Sequence, residues 1–273
     1  MSQTRLLGNW KTSAGFAIPT VGWLFWFLII PLGIVIAYSF ATKGLYGGVV
    51  YSWSFSNYAR TVEWIYLRVL GNSVLLAAMT AVFCLLLGYP MAYLMATSLP
   101  RTRSMLLILV VIPFWTNFVV RAYATKLLFG GLSSGPWIVL VGMVTNYLPF
   151  MILPLYVSIE KFDFTLLEAA KDLGASRVQL LRSVLLPLTK RGIVTGVILV
   201  FTPALGEFVI PDLLGGARTM LIGNLITEQF LKTRDWPFGS SLSLVLILMV
   251  ILSLILYFHF QGSDEGDPIS YAD

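Results

Sequence analysis

Glu207 is the residue whose type and position point most directly to chemistry. It stands inside an apolar run, Ile193–Leu214, where a carboxylate is costly and therefore marks a function. Pro203, Gly206 and Pro211 flank it, so the helix predicted for this run is interrupted and can expose backbone carbonyls to a cavity. Asp212 follows shortly after. Carboxylates accept charge-assisted hydrogen bonds, and aromatic faces attract cations. Trp115, Tyr123 and Tyr147 offer such faces on neighbouring runs, and Asn117 and Asn146 add neutral polar groups. A second polar feature is the island Glu168-Ala169-Ala170-Lys171-Asp172-Leu173-Gly174, followed after nine residues by Val184-Leu185-Leu186-Pro187. So many charges on one internal loop of a lipid-like chain suggest a surface presented to another protein.

The elements that must hold these groups follow from composition. Hydrophobic residues make up 58% of the 273 positions, charged residues 11%, and the mean hydropathy is +0.84. That excludes a soluble domain. Six apolar segments each supply the roughly 20 residues that cross a bilayer. They run Phe16–Phe40, Val69–Leu99, Met105–Leu128, Pro136–Ser158, Ile193–Leu214 and Ser240–Phe260. Helices are required, since lipid cannot satisfy open strand edges and no period-2 alternation is present. The expected fold is an all-α integral membrane protein of six transmembrane helices, with a two-helix loop between the fourth and fifth spans. The expected organisation is an N-terminal stretch over 1–15, a membrane domain over 16–260 with its loop at about 160–190, and a disordered acidic tail over 261–273. The first segment is too long for a signal-peptide core and reads as a retained span.

With the N-terminus inside, the inner stretches hold Arg5, Lys11, Arg101, Arg103 and six further Lys or Arg from Lys161 to Arg191. The outer loops hold Lys43, Arg60, Arg68, Arg218, Lys232 and Arg234. The excess places both termini and the Glu168 island in the cytoplasm. An aromatic-rich outer loop from Ala41 to Leu67 reads as an interfacial belt or a docking surface. A single Cys84 and a single His259 exclude a disulfide framework and argue against a metal site. Cys84 reads as a small hydrophobe and His259 as an interface residue. No basic stripe is interleaved with aromatics, so nucleic acid is not an expected partner.

Within the island, Thr165 and Glu168 have capping-box spacing, and Leu166, Leu167, Ala170 and Leu173 form an apolar stripe. Ala169 and Ala170 permit close approach of a partner, and Gly174 ends the helix. A second helix over Ser176 to Leu186 follows, stopped by Pro187. The expectation is a bent two-helix platform. Two helices resting on the membrane surface are the plainer alternative.

The whole spacing (Glu-Ala-Ala, three residues, Gly, nine residues, an aliphatic, one residue, Leu-Pro) resembles the ATPase-contacting loop of permease subunits of bacterial binding-protein-dependent ATP-binding-cassette importers. The resemblance covers nearly the full chain and lies nearest the spermidine/putrescine-type permeases. It is carried also by Leu87-Gly88-Tyr89-Pro90, Ile112-Pro113-Phe114-Trp115-Thr116-Asn117, Leu148-Pro149-Phe150-Met151, the stretch from Pro203 to Pro211, Leu214-Gly215-Gly216 and Arg234-Asp235-Trp236-Pro237. Val184 stands where the family has Ile.

The resemblance implies a bacterial inner-membrane complex of two permeases, the second related to this one, two ATPase subunits and an external binding protein. It implies that Leu166, Leu167, Glu168, Ala169, Ala170, Asp172, Gly174, Leu186 and Pro187 couple to the ATPase. The chain has no G-x-x-x-x-G-K-[ST] segment, so it is not expected to be an enzyme; ATP and Mg2+ would belong to the partner ATPase. A polyamine would meet Glu207 and Asp212 as carboxylates and Trp115, Tyr123 and Tyr147 as aromatic faces, beside Asn117 and Asn146. Glu207 is equally open to pairing with Arg121 or with a sister-subunit residue in a purely structural role, and Trp115 and Tyr123 to packing. Alternative readings are a permease for ferric ion, sulfate or another organic cation, and an ion-driven secondary transporter. A membrane enzyme lacks a convergent catalytic set.

Overall fold

The computed structural model describes residues 19–44, 48–129, 135–216 and 219–262. The expected N-terminal stretch over 1–15 and nearly all of the acidic tail lie outside these residues, as do Tyr46, Arg218 and the side chain of His259. Among the described residues, four helices are long and apolar enough to cross a membrane: α1 (Pro19–Ser39), α3 (Trp64–Thr97), α6 (Pro136–Glu160) and a C-terminal helix whose apolar part is Trp236–Phe258. Counting each of two bent helix pairs as one span gives up to six. The all-α membrane class therefore stands, and two of the six expected spans are broken.

The third expected span, Met105–Leu128, is two helices, α4 (Pro100–Trp115) and α5 (Phe118–Phe129), meeting at 96°. Pro113 disturbs the last turn of α4, and Thr116 is extended at φ −91°, ψ 140°. Asn117 then restarts the helix, its Oδ1 accepting from the Val119 N–H at 2.8 Å. The fifth expected span, Ile193–Leu214, is also divided. Its helix α9 (Lys190–Leu205) follows α8 (Arg177–Leu188) at a bend of 71°, and stops at Gly206 before a short helical segment α10 (Pro211–Gly215). Sixteen residues rise only about 24 Å, short of a hydrocarbon core of about 30 Å.

The chain divides into two compact units, residues 1–63 with 228–245, and 64–227 with 246–273. In the first, α1 is followed by a small antiparallel strand pair, β1 (Thr42–Lys43) and β2 (Val49–Val50), and by α2 (Ser56–Thr61). The strand pair departs from a purely helical expectation. Buried Asn57 ties these parts together, its Nδ2 donating to the Ser39 and Ala41 carbonyls at 3.0 and 2.8 Å. Arg60 pairs with Asp235 at 3.0 Å and lies over the Phe238 ring. Tyr51, Trp53, Phe55 and Trp64 of the aromatic-rich loop are exposed.

In the second unit α6 is the hub, buried over more than half of its apolar window. One end packs with α3, α5 and α9 through Leu76, Ala77, Ala122, Met143 and Leu205. The other packs with α3, α4 and α9 through Cys84, Met95, Val110, Ile152, Leu155 and Val200. Gly192 and Gly196 let α9 lie directly on α6: a Cβ at Gly192 would fall on Ser158 and within 2.9 Å of the Pro154 carbonyl oxygen, and one at Gly196 within 2.6 Å of Met151 Sδ. This is the small-x-x-x-small packing of membrane helices.

Candidate functional site

The break after α9 builds the first part of the site. Gly206 ends the helix, and Glu207 begins the next turn with its carboxylate folded back on its own backbone. Oε1 accepts from the N–H groups of Phe208, Val209 and Ile210 at 3.0, 2.9 and 3.3 Å. Oε2 accepts from the Tyr147 hydroxyl of α6 at 2.6 Å. Glu207 is thus an anionic cap on the free N–H groups that open the next turn, where negative charge is favoured. It is 9% exposed, and no ion pair joins it to Arg121. The intramembrane partner of the carboxylate is Tyr147, not Arg121.

Glu207 lines a cavity of about 480 Å3 with Phe114, Thr116, Asn117, Phe118, Arg121, Asn146, Tyr147 and Phe150. The bend between α4 and α5 forms one wall; α6 and the α9 break form the others. Asn146 is 4% exposed and donates to the Gly142 carbonyl at 2.8 Å, leaving its buried Oδ1 without a partner. The buried Nε of Arg121 also lacks one. Uncompensated groups of this kind are costly in an interior. Of the residues chosen from sequence for the passage, the structure gathers Glu207, Asn117, Asn146 and Tyr147. Trp115, 85% exposed, Tyr123 and Asp212 lie on the surface outside this cavity. Phe114, Arg121 and Phe150 complete the wall; the first and last sit inside Ile112–Asn117 and Leu148–Met151, where only helix packing reveals their direction.

The second part is the loop after α6. Helix α7 (Thr165–Asp172) starts on Asp163, whose Oδ1 accepts from the Thr165 N–H at 3.0 Å and hydroxyl at 2.8 Å. Those bonds hold the Asp163 carboxyl below its ordinary range. The expected Thr165–Glu168 capping box is not formed: Thr165 is the first residue of the helix rather than its cap, and the Glu168 N–H bonds to the Phe164 carbonyl at 3.3 Å. Gly174, at φ +84°, closes α7: its N–H donates to the Lys171 carbonyl at 2.8 Å and that of Ala175 to the Ala170 carbonyl at 3.1 Å. These are the two bonds of a Schellman stop. The capping box lies at the next helix, where Ser176 Oγ accepts from the Gln179 N–H at 3.4 Å and Gln179 Oε1 from the Ser176 N–H at 2.8 Å.

Leu167 is buried under α7 with Leu180 and Leu185, and partly buried Tyr89, Tyr93 and Ala170 pack on them. Glu168, Ala169, Asp172, Gly174 and Pro187 remain exposed, as do Leu166 at 47% and Leu173 at 90%, while Leu186 is half-buried. The apolar stripe read from the sequence is therefore shared between two faces. Leu167 and Ala170 fasten α7 to the body, and Leu166 and Leu173 stay outside. Tyr89 reaches from α3 to the buried Thr189 hydroxyl at the α8–α9 bend, 3.0 Å away.

Residues 85–263 match the family model described as binding-protein-dependent transport system inner membrane component. The chain is 41% identical over 255 residues to the spermidine/putrescine transport system permease protein PotB of Haemophilus influenzae, covering 86% of this chain and 89% of that one. It is 40% identical over 259 residues to PotB of Escherichia coli, covering 88% and 94%, and 31% identical over 245 residues to PotC of Haemophilus influenzae, covering 84% and 90%. In fold it is similar to a chain of a bacterial ABC transporter involved in import of the acidic polysaccharide alginate, with a TM-score of 0.66 at 18% identity over 94% and 96% of the two chains. This chain accordingly belongs to the inner-membrane permease components of binding-protein-dependent ABC importers.

Proposed function

We propose that this chain translocates a polyamine, spermidine or putrescine, as one membrane subunit of an ATP-driven importer. An external binding protein delivers the solute, a second related permease completes the passage, and two separate ATPase subunits holding ATP and Mg2+ drive it through the loop Glu168–Pro187. Both termini and that loop face the cytoplasm. The observation that carries the cargo is the 40–41% identity to PotB proteins over nearly nine-tenths of the chain. The cavity supports it by gathering the Glu207 carboxylate with the polar side chains of Asn117, Asn146 and Tyr147 in one lining.

The loop supports coupling through its mechanics. A Schellman stop and a capping box fix α7 and α8 at a set angle, the Leu167–Leu180–Leu185 cluster joins them to α3, and Tyr89 bonds at the α8–α9 bend. A push on exposed Glu168, Ala169 and Leu173 is then transmitted as a rigid-body displacement. The test is to reconstitute the whole importer and present its binding protein with spermidine, putrescine, ferric ion or sulfate in turn. A polyamine should stimulate ATP hydrolysis and accumulate inside. Stimulation by another solute alone would overturn the cargo, and transport without an ATPase subunit would overturn the coupling.

A further inference from the structure

A second and larger hollow, about 760 Å3, lies between α6 and α9 and ends at the base of α7, where Phe162, Asp163 and Leu166 line it. Its wall carries the hydroxyl-bearing Ser158 and Thr195 and the cations Lys161 and Arg191. Phe150 belongs to the lining of both hollows. Its ring meets that of Phe114 edge to face, with centroids 4.9 Å apart, and the Tyr147 ring lies 6.2 Å away. Phe114 sits one turn before the 96° bend that shapes the polar cavity. Both rings are a little over one-third exposed, 36% and 38%, so each has room to turn on its helix.

We propose that Phe150, edge-on to Phe114, is a gate between the polar cavity at Glu207 and the groove that ends at α7, the two hollows forming this subunit's share of the route for a hydrophilic solute. The inference rests on the reading of the chain as the translocating subunit. On the Glu207 side a solute finds the Glu207 carboxylate, Asn117, Asn146 and the Arg121 guanidinium; on the other it finds an open, largely apolar groove carrying two hydroxyls, Asp163, Lys161 and Arg191. Between them it must pass two hydrocarbon rings, which hold back water and ions while closed. Once admitted, a cation meets ring faces that attract it. The groove also reaches Leu166 on α7, so displacement of α7 changes the space behind Phe150. That gives the loop a physical route to the barrier: one packed wall rather than a distant relay.

The test uses the whole importer in membrane vesicles without nucleotide, and a membrane-impermeant, cationic thiol reagent added on the α7 side. Asn117→Cys reports on the polar cavity and Thr195→Cys on the groove; native Cys84 is fully buried and sets the background. With Phe150 in place Asn117→Cys should react slowly and Thr195→Cys rapidly. Adding Phe150→Ala should raise the Asn117→Cys rate at least tenfold and leave the Thr195→Cys rate unchanged. Phe150→Leu should give an intermediate rise and covers failure of the alanine variant to assemble. An Asn117→Cys rate that is already high, or that neither substitution changes, overturns the gate. Because the reagent is not the cargo, this outcome is independent of polyamine uptake: another cargo leaves the gate standing, and polyamine uptake with unchanged thiol rates removes the gate alone.

Discussion

Replacement of Glu207 separates the two tasks its carboxylate performs. Four donors converge on it: the N–H groups of Phe208, Val209 and Ile210 and the Tyr147 hydroxyl. Glu207→Ala strands all four at a site 9% exposed. At about 1 kcal/mol or more for each orphaned group, the break between α9 and α10 should weaken by about 4 kcal/mol, less whatever cavity water recovers. Glu207→Gln keeps every bond, since its Oε1 can accept the three N–H groups and its Nε2 can donate to the Tyr147 oxygen. It loses only the charge assistance, about 1–2 kcal/mol. Tyr147→Phe keeps the charge and removes one bond. In thermal denaturation of the purified importer followed by size-exclusion chromatography, the alanine variant should lose assembly far below the temperatures of the other two. In uptake assays, Glu207→Gln should assemble yet carry polyamine poorly, while Tyr147→Phe transports near the parent rate. Equal stability of the alanine and glutamine variants would refute the capping argument. Full uptake by Glu207→Gln would remove the charge from the passage.

The loop offers a similar contrast. A Cβ at Gly174 meets nothing within 4 Å, so Gly174→Ala carries only the left-handed backbone penalty of about 1–2 kcal/mol. The ratio of uptake to ATP hydrolysis should fall, more so for Gly174→Val and for the charge reversal Glu168→Lys, with membrane insertion intact; normal coupled transport in these variants would sink the docking role. Gly192→Ala should destabilise the helix pair α6–α9 by about 1–3 kcal/mol by overpacking, whereas Gly206→Ala, whose Cβ would meet only Leu246 at 3.7 Å, should be tolerated; melting of the two purified variants decides it. Cys84 should resist maleimide in the folded importer and react only after denaturation, as mass spectrometry of intact protein will report.

The sequence alone carried the membrane class, because runs of about 20 apolar residues have no other stable home. It also carried the stop at Gly174, since only glycine takes that backbone cheaply. It misplaced the capping box. Thr165–Glu168 and Ser176–Gln179 share the same spacing, but Thr165 lies inside its helix with the Glu168 N–H on the Phe164 carbonyl, whereas Ser176 stands at the cap position of its own. It also drew the third span as continuous, while marking the fifth as interrupted around Glu207. Pro113, Pro203 and Gly206 mark the weak points, yet the 96° bend depends on how α4 and α5 pack on α6.

Glu207 shows where the boundary lies. Its cost in lipid, and the interrupted helix around it, were legible from residue type and neighbours alone. That Tyr147 rather than Arg121 meets it, that Asn146 faces the same cavity while Trp115, Tyr123 and Asp212 do not, and that Phe150 stands between two hollows were decided by tertiary structure. Caps, stops and hydropathy act over a few residues of one helix, so their spacing records them. Meetings across α4, α6 and α9 depend on crossing angles and on glycines that admit close approach, and no periodicity along a single helix encodes those.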